Sequence, residues 1–210
     1  MQPTPVATPL PIELMLAAYC RGIFPMAMAR DDAEVHWFSP DPRAVMPLDD
    51  RFHVPRSLRR VWRQWVFEIR TDTAFEQVID GCAAPRADDD QTWINPAIRD
   101  VFVRLHHAGY AHSIETWRGG RLMGGLYGLA IGGVFFGESM FRQITTDRST
   151  HASKIALVAT VEHLRARGFG LFDVQFPNPL LDRFGAIEIR RDAYLEHLHE
   201  ALRLATTWTA

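Results

Sequence analysis

Ala111–Phe141, AHSIETWRGGRLMGGLYGLAIGGVFFGESMF, decides how the rest of the chain is read. Glycines at 119–120 and 132–133 divide it into Ala111–Trp117, Arg121–Ala130 and Gly132–Phe141. Each piece carries bulky apolar side chains at strand-like spacing, and the glycines between them supply turns. A three-strand meander is therefore expected. The last piece runs from Val134-Phe135-Phe136 into a single carboxylate, Glu138, with Ser139 beside it. The apolar run predicts a buried strand. A glutamate at its end either reaches solvent or is paired, because carboxylates are seldom buried alone.

Downstream, Gln143–Thr150 reads as a polar loop and His151–Arg167 as a long helix, with Ile155, Ala156, Val158, Ala159 and Leu164 on its inner face. Phe169–Gln175 is a strand, Pro177–Phe184 irregular or a short helix, Ala186–Ile189 a last strand and Asp192–Leu204 a last helix. Upstream, residues 1–10 are rich in Pro and Thr, and Pro11–Arg21 is a helix ended by Gly22. GIFPM turns the chain. Pro40, Pro42 and Pro47 restrict the next segment to turns around a short strand, Arg43–Met46. Val54–Trp65 is a helix, Val66–Arg70 a strand, Ala74–Cys82 an amphipathic helix, PRADDDQT a charged loop, and Pro96–His107 a helix ended by Gly109. This order suits an α+β domain of the N-acetyltransferase type, with the long helix crossing after the meander.

The 210 residues permit one large domain or two small ones. A net charge of -2 gives no general sign of nucleic-acid binding, although a local basic patch can still steer a polyanion. Cys20 and Cys82 are too few and too far apart for a disulfide framework or a zinc site. The N-terminus lacks a basic region before its apolar part, and no apolar run reaches the length of a membrane-spanning helix. A cytoplasmic protein is expected.

Asp173 and Gln175 alternate in FDVQF, so a strand would present both on one face, with Phe172, Val174 and Phe176 on the other. A carboxylate beside an amide can bind and polarise an amine; a solvent-facing strand edge gives the same pattern. Ser139 and Ser153 lack a base at readable spacing. The histidines at 106–107 and in HLH at 197–199 lie on charged helices and suit solvated faces better than a metal site. The glycine pairs at 124–125 and 132–133 lack the strand–loop–helix context of a phosphate loop. Trp37, Phe38 and Trp93 could stack nucleobases or plug a junction between domains. Arg56, Arg59, Arg60 and Arg63 form the densest basic cluster, able to contact phosphates or simply to solvate a helix.

Taken together, YCRGIFPM, WFSPDPRAVMPL, VIDGCAAPR with TWI, the run from Leu105 to Phe141, ASKIAL, DVQF and FGAIEIRRDAYL resemble the leucyl/phenylalanyl-tRNA–protein transferases. The pieces occur in the family's order over roughly residues 18–195. The resemblance implies a small N-terminal domain, 1–45, joined to an acetyltransferase-like (GNAT) domain, 46–210. It implies transfer of Leu or Phe, and Met less well, from aminoacyl-tRNA to the N-terminal Arg or Lys of a protein, which creates a degradation signal. No metal or diffusible cofactor is implied, and a monomer is the default.

By the same resemblance, Asp173, Gln175 and Glu138 are the reaction-centre residues. Asp173 would accept the amine proton or orient the ammonium, Gln175 would hold the amine or relay charge, and Glu138 would hold the ribose end or the Asp/Gln pair. Met123, Phe135, Phe136 and Met140 would line a pocket for a linear or aromatic side chain. Trp93 would stack the terminal adenine, and the Arg56–Arg63 cluster would contact acceptor-stem phosphates. Met26 stands where the family has a tryptophan on the adenine's other face. RQITTDRSTHASK is longer than the family's loop, with His151 in place of another polar residue, and PNPLLDRFGA lacks the family's Thr and His after DVQF. These departures leave two further readings: a transferase with another acceptor, and an aminoacyl-tRNA or N-degron binding module.

Overall fold

The computed structural model describes residues 9–64, 66–85, 92–143 and 151–209. Most of the expected loops at 85–92 and 143–150, and most of the Pro/Thr-rich start, lie outside the described residues. In chain order the elements begin with α1 (Ile12–Tyr19), β1 (Phe24–Met26), β2 (His36–Phe38), β3 (Arg43–Met46), α2 (Arg56–Arg63) and β4 (Glu68–Thr71). Then come α3 (Phe75–Ala83), α4 (Pro96–His107), β5 (Ala111–Arg118), β6 (Arg121–Ile131) and β7 (Val134–Arg142). The chain finishes with α5 (Ala152–Arg167), β8 (Leu171–Gln175), α6 (Pro179–Asp182), β9 (Ile187–Ile189) and α7 (Arg191–Leu202).

The meander β5-β6-β7 forms the middle of a seven-stranded sheet ordered β4-β5-β6-β7-β8-β3-β9. Neighbours pair antiparallel except β7 and β8, which run parallel. A parallel pair needs a long crossover connection, and α5 supplies it. β1 and β2 make a separate antiparallel pair, where the sequence suggested only a turn. Each is three residues long and β1 contains Pro25, so neither carries a readable alternation.

Strand alternation sends side chains to two apolar layers. On one face Tyr127, Leu129 and Phe136 meet α1, α3, α4 and α7 through residues such as Met15, Val78, Phe102 and Leu198. On the other, Leu126, Phe135 and Phe172 meet α5 through Ile155, Ala156 and Val161, together with Leu58 of α2 and Trp208 near the C-terminus. Each fully buried side chain of this size stabilises the fold by about 1.5–3 kcal/mol relative to exposure. α5 ends at Gly168, whose φ of +75° closes the helix in the left-handed conformation.

β3 spans the boundary expected at 45/46 and lies inside the large sheet, between β8 and β9. His106 is not on a solvated face: it stacks on Phe75 at 4.2 Å, and its Nδ1 lies 2.8 Å from the Ala111 carbonyl. Among the described residues no helix is long and apolar enough to cross a membrane.

Candidate active site

The parallel ladder joins Val134 to Leu171, Phe135 to Phe172 and Phe136 to Asp173, and among the described residues it stops there. Beyond it, Gly137–Phe141 of β7 and Val174–Gln175 of β8 flank an opening. Two local irregularities shape this opening. Tyr127 pairs with Ser139 while Gly128 pairs with Gly137, which makes Glu138 the extra residue of a β-bulge. Bulges re-aim a side chain and interrupt pairing. Gln175 has φ of +61°, a left-handed conformation rare for a residue with a Cβ. It ends the strand's alternation, and the Phe176 amide turns back onto the Val174 carbonyl at 2.8 Å.

A cavity of about 780 Å³ occupies the opening. One part is apolar, with Leu126, Met140, Leu157, Phe172 and Val174 in its wall; another presents Glu138 and Gln175; a third carries Phe24, Met26, Trp93 and Phe176. The polar wall rests on a connected network. Tyr19 of α1 donates to Glu138 Oε1 at 2.8 Å, and Gln175 Nε2 donates to the same oxygen at 3.4 Å. Behind them Asp173 accepts from Arg43 Nε at 2.9 Å, Arg43 Nη2 at 2.6 Å, Tyr194 Oη at 2.7 Å and the Gln175 amide at 2.9 Å. Arg43 is sandwiched between the rings of Phe24 and Tyr194, at 4.7 and 4.6 Å.

Burial pushes the Glu138 carboxyl up to about 8; Asp173 raises it further, while the Tyr19 hydrogen bond and Arg43 act against the rise. Burial likewise raises the Tyr19 and Tyr194 phenols, so both stay protonated donors.

The expected reaction-centre residues come together, but not as equals. Glu138 and Gln175 line the cavity, whereas Asp173 is 0 % exposed and sits behind Gln175. A solvent-facing strand edge is excluded, because Asp173 is fully buried and its acceptor positions already receive four hydrogen bonds. Met26, Trp93 and Met140 also line the cavity. Met123, Phe135 and Phe136 do not. Phe135 stacks on Trp208 at 5.1 Å in the α5 layer, and Phe136 meets the edge of Tyr19 at 4.9 Å in the opposite layer. Met123 belongs to the α5 layer and borders a smaller, separate depression beside Gln77 and Arg121. Adjacent strand residues face opposite ways, so Phe135 and Phe136 are committed to the two apolar layers. Arg56, Arg59, Arg60 and Arg63 are exposed on α2, outside the cavity wall, with Arg59 Nε donating to the Val54 carbonyl at 2.7 Å.

Sequence reasoning missed Arg43, Tyr19 and Tyr194. A trace of the first was present: an arginine opening the apolar strand Arg43–Met46, all four residues of which are buried. Tyr19 follows Met15 by four positions on the buried side of α1, a spacing that a core residue shows equally well.

The description "Leucyl/phenylalanyl-tRNA protein transferase" attaches to the family model that matches residues 45–199, and that of its N-terminal domain matches residues 9–41. A protein from Paramagnetospirillum magneticum named leucyl/phenylalanyl-tRNA–protein transferase is 50% identical over 200 residues, covering 95% of this chain and 92% of its own. Among solved structures, a C-terminal domain (DUF2156) described as that of a lysylphosphatidylglycerol synthetase from Agrobacterium fabrum aligns with a TM-score of 0.43 and 14% identity over 93% of this chain. L-PGS from Bacillus licheniformis aligns with a TM-score of 0.42 and 13% identity over 80% of it. The chain spans 59% and 51% of the lengths of those two.

Proposed function

The chain belongs to the leucyl/phenylalanyl-tRNA–protein transferase family, and from that premise we propose that it moves Leu or Phe, and Met less well, from aminoacyl-tRNA to the N-terminal Arg or Lys of an acceptor protein. It is an aminoacyltransferase whose substrates are an aminoacyl-tRNA and a protein. In the reaction the acceptor nitrogen attacks the ester carbonyl, a C–N bond forms, the C–O bond to the ribose breaks, and the amine proton leaves as the ribose hydroxyl gains one.

The observation that carries this reading is the meeting of Gln175 and Glu138 on the wall of a cavity with an apolar end. Gln175 Nε2 points to Glu138, which turns Gln175 Oε1 to accept a hydrogen bond from the amine. Glu138, held near neutrality in its affinity for protons, takes the proton or passes it to the leaving oxygen. Met140, Leu126, Leu157 and Phe172, which line the cavity, receive the aminoacyl side chain and select against β-branched residues. Such discrimination is worth about 1–3 kcal/mol. Trp93 and Met26 receive the terminal adenine, and Arg56, Arg59, Arg60 and Arg63 meet the acceptor-stem phosphates. In this reading the acetyltransferase-like domain includes β3, the small N-terminal domain ends before Arg43, and the protein works as a cytoplasmic monomer.

The test mixes purified protein with labelled Leu-tRNA or Phe-tRNA and peptides beginning with Arg, Lys or Asp. Label on the Arg and Lys peptides is expected. Label only on other amines would move the reading to a different acceptor, and tRNA binding without transfer would leave a binding module.

A further inference from the structure

Arg43 is among the largest side chains that folding buries completely, at 1 % exposure. A guanidinium taken out of water survives only when it is paired and its donors are used. Here one edge, Nε and Nη2, grips Asp173 with two hydrogen bonds, and Nη1 donates to the Gly22 carbonyl at 3.1 Å. Its two faces are covered by Phe24 and Tyr194.

The carboxylate it grips is saturated. Asp173 Oδ1 takes Arg43 Nε and the Gln175 amide; Oδ2 takes Arg43 Nη2 and Tyr194 Oη. A carboxylate offers about four acceptor positions, and all are filled. One of the four donors is the backbone of Gln175, the residue in the left-handed conformation that ends β8. Strand β3 also pairs here, with Ala44 opposite Gln175 and Val45 opposite Asp173, and its register shifts between those two positions. The left-handed turn is thus tied down from β3, α7 and Asp173 together.

We propose that Arg43 and Tyr194 are positioning residues for transfer: they lock Asp173 as the anchor of the Gln175 turn, and so aim the Gln175 amide at the cavity. This rests on the transferase reading and refines it, because Asp173 then acts by holding Gln175 rather than by taking a proton. Bidentate geometry matters here, since a lysine at position 43 supplies charge without the fork.

The experiment measures kcat and KM for Arg43→Lys, Tyr194→Phe, Asp173→Asn and the double variant Arg43→Lys/Asp173→Asn, together with amide hydrogen exchange at Gln175. Tyr194→Phe is expected to lose about tenfold in kcat and Arg43→Lys about 100-fold, with KM for aminoacyl-tRNA within about twofold, because small misplacements near a reacting centre act on this scale. The double variant should be no worse than its worse parent, because both changes break one anchor. Exchange protection at the Gln175 amide should fall in all three single variants while the rest of β8 stays protected. Folded variants with wild-type kcat, or multiplied losses in the double variant, would overturn the proposal. If Arg43→Lys fails to fold, Tyr194→Phe decides, since it removes one donor and no charge. If the wild-type protein transfers to no peptide, the transferase reading fails on its own, and Gln175 exchange still judges the anchor: unchanged protection would sink it.

Discussion

Glu138 and Asp173 are carboxylates a strand apart in opposite surroundings. Asp173 receives four hydrogen bonds, two of them from a guanidinium, while Glu138 receives one from Tyr19 and a longer one from Gln175. Desolvation therefore dominates at Glu138 and lifts it from 4.5 to about 8. The native state holds that proton more tightly than the unfolded chain does. The resulting contribution to stability is complete below pH 4.5 and is lost as pH rises toward about 8. Glu138→Gln should therefore show a smaller fall in Tm across this window than the wild type, measured by thermal denaturation; parallel slopes would mean that Glu138 titrates normally. The side chains on either side of this residue divide in the same residue-by-residue way. Met140→Ala should change the preference among Leu-, Phe- and Met-tRNA, with a discrimination change of about 1–3 kcal/mol and little loss of stability. Phe136→Ala should instead cost about 3–5 kcal/mol of stability, because it empties a core position. Competition assays and urea titrations on the two variants distinguish a pocket wall from a core.

Within β7 and β8, local irregularities do what regular strands cannot. A bulge at Glu138 and a left-handed turn at Gln175 bring an acid and an amide to one wall, where ideal alternation would have continued the ladder. The neighbouring wall depends on α3, whose N-cap position, Ala74, has no side-chain cap. Its start is secured from a distance. Glu115 of β5, fully buried, accepts from the amides of Thr73 and Ala74 at 2.8 and 2.7 Å, and from Trp117 Nε1 at 2.8 Å. A negative group at a helix N-terminus is also favoured by the helix dipole. Glu115→Ala leaves the buried Ala74 amide and the partly buried Trp117 Nε1 without this partner and should destabilise the protein by about 1–3 kcal/mol. Denaturant unfolding checks this, and a change below about 0.5 kcal/mol, the range of ordinary surface substitutions, would contradict it. Gly81 of α3 lines the cavity, so the same variant should also raise KM for aminoacyl-tRNA in a steady-state assay.

The layers are closed by segments from both ends of the chain. β3 enters the large sheet from the N-terminal side and carries Arg43 to Asp173, 130 positions away. At the other end Trp208 stacks on His112 at 4.6 Å and Phe135 at 5.1 Å, against His163 at 4.3 Å, and so completes the α5 layer. Trp208→Ala should cost about 3–5 kcal/mol. Calorimetry would detect the fall in Tm, and an unchanged Tm would show that the tail is an accessory. Much of this molecule is legible along the chain. The meander, α5 and the strand at 171–175 carry periodic apolar patterns, and Glu138 and Gln175, set in matching motifs, do line the cavity. Periodicity survives in sequence because each strand or helix repeats its backbone geometry and buries one side. Other features leave no local trace: the β1–β2 pair, the insertion of β3, and the enclosure of Asp173 by Arg43 and Tyr194. They depend on sheet order, register and a bulge, all settled by contacts between distant segments, so that a carboxylate's neighbours, and with them its chemistry, exist only once the chain has folded.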